Sequence, residues 1–60
     1  MYYNYHARAK KLIEEGMLEY YEIVEEYHGI KPALVLHFYN HAPMPIREYR
    51  WDEYFKILEK

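Results

Sequence analysis

The run "ALVLHFY", Ala33 to Tyr39, constrains this chain more than any other stretch. Its branched and aromatic side chains favour extended backbone, and a strand standing alone leaves its N–H and C=O groups without partners. The chain must therefore supply at least one further strand. Upstream lies "MLEYYEIVEEY", Met17 to Tyr27, which is ambiguous because Met17, Tyr20, Tyr21, Val24 and Tyr27 also form a helical stripe. Its Tyr, Ile and Val content and the lack of any linker beyond Gly16 favour a strand over residues 18–26, with a second helix as the alternative. "HGIKP", His28 to Pro32, holds the glycine and proline expected of the hairpin loop between the two strands.

Downstream comes "HAPMPIREYRW", His41 to Trp51. Proline biases the residue before it towards extended backbone and cannot donate a ladder hydrogen bond. Ala42 and Met44 are thus directed away from helix, and a short strand over Met44 to Glu48 belongs at a sheet edge. Within the central run, Leu34, Leu36 and Phe38 share the face better suited to a core. Ala33, Val35, His37 and Tyr39 share the other.

Two helices complete the reading. Tyr5, Ala9, Leu12 and Ile13 recur at helical spacing, with Asn4 placed to cap the start and Gly16 to end the helix after Glu15. Trp51, Tyr54, Phe55 and Leu58 form a second stripe, with Asp52 and Glu53 in the first turn where acids suit the helix dipole. The expected fold is one small α+β domain over residues 1–60, with two helices packed on a two- or three-stranded antiparallel sheet in the order α-β-β-(short β)-α.

A chain of 60 residues buries only ~60% of the surface its unfolded form exposes, so its stability is marginal. There is no cysteine to staple it, and self-association is the favoured aid. The missing cysteine and the absence of an apolar leader in "MYYNYHARAK" point to the cytoplasm. The unbroken apolar run "ALVL" falls far short of the ~20 residues of a membrane span.

Serine and threonine are also absent, which leaves tyrosine as the only hydroxyl nucleophile and makes an enzyme improbable. No cofactor motif is present. His37 and His41 are four apart, but in a strand that spacing separates them by ~13 Å, too far to share a metal ion. Nine tyrosines accompany one tryptophan and two phenylalanines. Tyrosine combines an apolar body with a polar tip, which suits both a small core and a protein interface.

Charge is segmental: residues 1–13 hold Arg8, Lys10 and Lys11 with no acid, and residues 14–26 hold six glutamates with no base. Such alternation suits packing between segments or between subunits. The expected function is a non-enzymatic protein-interaction module, a homodimer included, with Met44, Arg47, Tyr49 and Arg50 as partner-binding residues. The alternative is nucleic-acid binding, in which Arg47, Arg50 and the basic first helix meet phosphates while rings stack on bases.

"YNYHARAKKLIEEG", "HGIKPALVLHF" and "PMPIREYRW" together resemble a family of short uncharacterised proteins from Gram-positive bacteria, over nearly the whole chain. Some members bear the label of a thermostable haemolysin, and none has defined catalytic residues. The resemblance implies a free-standing accessory protein and transfers no site residue. The lack of a membrane-length segment, and an acidic start to the last helix, argue against the haemolysin label.

Overall fold

The computed structural model describes residues 5–59. It is an α+β layer fold: helix α1 (Tyr5–Glu14), strands β1 (Leu18–Val24), β2 (Ala33–Phe38) and β3 (Met44–Arg47), a 3-10 turn (Glu48–Arg50) and helix α2 (Trp51–Leu58). The expected cap Asn4 lies outside the described residues.

Helix α1 ends one residue earlier than its periodicity suggests, at Glu14, and the cause is visible in the backbone. Gly16 takes φ +77°, its N–H donates to Ile13 C=O at 3.1 Å, and the N–H of Met17 donates to Leu12 C=O at 3.0 Å. This pair of bonds is a Schellman motif, which satisfies carbonyls that the helix end leaves open. It also reverses the chain directly into β1, so Met17 to Tyr27 does not continue as helix.

Strand β2 is central, antiparallel to β1 on one side and to β3 on the other. Strand β1 stops at Val24 rather than at residue 26, because the chain forms a small inner turn. Tyr27 and Ile30 exchange two backbone hydrogen bonds of 3.0 Å around His28 (φ +49°) and Gly29 (φ +87°). Two positive φ values in a row are what a tight type I′ hairpin requires. The connection is therefore residues 25–32 with a hairpin nested inside it, longer than the expected five-residue loop.

Both helices cover one sheet face. Leu34, Leu36 and Phe38 of β2 join Met44 and Ile46 of β3, Ala9 and Leu12 of α1 and Tyr54 of α2 in the buried cluster. Trp51 packs against this cluster and donates its indole N–H to Ile46 C=O at 2.9 Å, which fixes the start of α2 against β3. The face assigned to the core on alternation alone is the correct one. The reverse face departs from expectation, since Ala33 and Val35 are also fully buried. In a central strand each has a cross-strand neighbour on both sides, Val24 and Arg47 for Ala33 and Glu22 and Pro45 for Val35, and small side chains are screened between them.

Candidate functional site

Prolines 43 and 45 hold the approach to β3 extended, and Tyr5 reaches from the first turn of α1 to donate its hydroxyl to Pro45 C=O at 3.2 Å. Beyond this contact a cleft of about 380 Å³ opens between α1, β3, the 3-10 turn and Ile30 of the inner hairpin. Its polar lining comes from His6, Arg47, Tyr49 and Arg50. Its apolar lining is Ile30, Pro43 and Pro45, with the Tyr5 ring. None of the lining residues is acidic.

Behind the cleft a polar network ties α1 to α2. Tyr54 is fully buried, and burial pushes its phenol well above the usual tyrosine range, so the hydroxyl keeps its proton. His6 Nδ1 lies 2.6 Å from that oxygen. Burial, and then the positive charge of Arg50, hold the imidazole below its usual value of 6.5. The ring is neutral, and the buried phenol has no other hydrogen-bond partner among the described residues, so Tyr54 O–H donates to Nδ1 and the remaining ring proton sits on Nε2.

Glu53 is the hub of the charges. Lys10 donates to its Oε1, and Arg50 Nη2 donates to the same oxygen at 3.1 Å. Arg50 Nε lies 2.8 Å from Oε2, close enough for an ion pair but without hydrogen-bond geometry, since that buried nitrogen has no hydrogen-bond partner. The Lys10 hydrogen bond, followed by that from Arg50, keeps the Glu53 carboxyl below the usual carboxylate range. Lys10 also stands 5.5 Å over the centre of the Tyr54 ring.

The structure thus brings together three of the four residues that the sequence pointed to. Arg47 is exposed, and its side chain makes no ion pair or hydrogen bond among the described residues. Tyr49 is 78% exposed, whereas Arg50 is half-buried and occupied by Glu53. Met44 parts from them: its side chain is only 8% exposed and belongs to the core cluster. Alternation explains this, because Met44 and Ile46 face inward while Pro45 and Arg47 turn away. His6, Tyr5 and Ile30 join the cleft through folding alone, and nothing local in the sequence marks them.

The remaining histidines go elsewhere. His37 stacks on Tyr20 at 4.2 Å between ring centres and lies 2.7 Å from Glu22 Oε2, on the reverse face of the sheet. His41 lines a separate depression with Arg8, Lys11 and Glu15. Among the described residues no group of three or more histidines and carboxylates is placed to hold a metal ion. No helix among them is long and apolar enough to cross a membrane.

Compared with protein-family models, with curated proteins and with solved structures, the chain matches none of them.

Proposed function

We propose that this chain is a non-enzymatic protein-interaction module that works in the cytoplasm and engages its partner at the cleft beside β3. The observation that carries the reading is the convergence of Arg47, Tyr49 and Arg50 on one concave surface that also has apolar walls. An exposed aromatic ring next to an uncommitted arginine is the composition of interface anchors, which draw area from the ring and directionality from the guanidinium. The absence of serine, threonine and cysteine supports a binding role over a catalytic one. The partner includes a second copy of the chain, given a basic first segment and an acidic second one.

Nucleic-acid binding is the second reading, favoured by Arg47 and Tyr49, which are both exposed and line the same cleft. The network weakens it: Lys10 and Arg50, two of the cations it relies on, are both drawn to Glu53. Fewer free cations mean fewer phosphate contacts and a shallower salt dependence.

The test is selection of a displayed random-peptide library on the immobilised protein, with an Arg47→Glu, Tyr49→Ala variant as counter-selection. A shared motif that the variant fails to retain supports the interaction module. A library that yields no motif, together with salt-sensitive binding of single-stranded oligonucleotides, moves the assignment to nucleic acid. Light scattering across a concentration series decides whether the partner is the chain itself.

A further inference from the structure

Peptides are held at protein surfaces in several ways, among them the addition of a strand to a sheet edge and the capture of a chain end. The cleft lies against the outer side of β3, so strand addition is the first possibility to weigh. It meets three obstacles. Pro43 and Pro45 have no N–H to offer a ladder. Pro45 C=O already accepts from the Tyr5 hydroxyl, and Ile46 C=O already accepts from the Trp51 indole. Successive carbonyls of a strand point to opposite sides, so one of these two faces the outer edge, and both are engaged. A passing strand would find an interrupted ladder.

What the cleft does offer is a set of donors with no acidic group among them. Arg47 contributes a guanidinium without a partner among the described residues. Arg50 directs Nε and Nη2 at Glu53, which leaves Nη1 for other contacts. His6 gives its Nδ1 to Tyr54, which makes Nε2–H its remaining donor. Beside these stand Ile30, the two prolines and the Tyr49 ring. At about 380 Å³ the space suits one or two residues with an apolar side chain rather than a long segment.

We infer that the cleft captures the carboxyl terminus of a partner polypeptide, with Arg47 facing the terminal carboxylate and the last side chain lying against Ile30, Pro43 and Pro45. Planar guanidinium and carboxylate match in a two-point hydrogen bond, which gives direction as well as charge. Tyr49 closes over the chain that leads out of the cleft. This rests on the protein-interaction reading above and narrows it from a protein partner to a protein end.

The experiment is a chemical-shift titration of the isotope-labelled full chain. The probes are an N-acetylated alanine-rich peptide ending in phenylalanine, the same peptide as its carboxyl amide, and N-acetylphenylalanine. The free-acid peptide is expected to shift the amide signals of residues 45–50 in a saturable way. The amide, and the free acid on an Arg47→Gln variant, should each bind about tenfold more weakly, the loss of one charge-assisted contact. Equal binding of acid and amide overturns the inference and leaves the interaction module standing. Equal binding of N-acetylphenylalanine and the peptide also overturns it, since the ligand is then a small aromatic acid. A titration silent for all three overturns it as well, while the library selection, which samples internal sequences, judges the module separately.

Discussion

Tyr54 of α2 donates its hydroxyl to Nδ1 of His6 in α1 across 2.6 Å, and so joins the two helices through residues 48 positions apart. The phenol is fully buried and the imidazole is half-exposed, so the bond satisfies a proton that the core cannot otherwise place.

Replacing Tyr54→Phe keeps the ring and removes this bond. Because His6 is within reach of water, its nitrogen finds another partner, and the expected loss is near the low end for a buried hydrogen bond, about 1 kcal/mol. Urea denaturation of the two proteins checks it; an unchanged midpoint would show that the bond contributes nothing net.

Acid should destabilise the fold in two steps. The folded pKa of His6 is lowered from 6.5 by burial and then by Arg50. The unfolded chain therefore takes up this proton first, and stability declines as pH falls below 6.5 until the folded imidazole is also charged. Glu53 is likewise lowered, chiefly by its hydrogen bond from Lys10, so its contribution is present above 4.5 and is lost as pH falls further. Melting temperatures recorded across this range should drop in both windows, and His6→Gln should flatten the first. A wild-type slope retained in that variant would place the effect on another group.

Glu53→Gln releases Lys10 and Arg50 together. The pairs are about one-third exposed, so the cost in stability is about 0.2–1 kcal/mol. The freed cations make the cleft side more positive, and affinity for anionic peptides or oligonucleotides should rise, most clearly at low salt. Fluorescence anisotropy at two ionic strengths reads this; weaker binding would mean that Glu53 positions Arg50 for the ligand.

Gly16→Ala should cost about 1–2 kcal/mol, because the residue sits at φ +77° and an L side chain is strained there. A Cβ at this position meets no atom within 4 Å, so the whole effect is backbone conformation. Thermal melting measures it, with Gly16→Asn, which tolerates this conformation better, expected to lose less.

In the core, Ile46→Ala should cost about 2–5 kcal/mol. Ile46 is fully buried against Leu34 and beneath the helices. A domain of this length has only about 3–9 kcal/mol in total, so circular dichroism should show a largely unfolded variant at ambient temperature. A cooperative melt close to that of the parent would mean that the core closes over the missing methyls.

Much of the fold was legible in the residues. The Leu34, Leu36, Phe38 face, the Gly16 stop and the Trp51 stripe each follow from local geometry, and each stands where periodicity or backbone preference puts it. Where β1 ends was not legible, because the nested hairpin at His28–Gly29 depends on a non-glycine residue accepting positive φ. Of the candidate site, Arg47, Tyr49 and Arg50 were visible as a cluster in sequence, whereas Met44, which strand alternation turns inward, stands apart from the cleft they line.

What the sequence determined by itself, then, is what neighbours along the chain impose: strand and helix periods, the proline-stiffened approach to β3, and the α+β order of elements. What only the tertiary structure decided is which charges remain available. Lys10, Arg50 and Glu53 are separated by up to 43 positions, yet the one carboxylate engages both cations once α1 lies against α2, while Arg47 is left open at the cleft that Tyr49 also lines. Electrostatic interaction follows distance in space, and along this chain that distance is fixed only when the two helices close over the sheet.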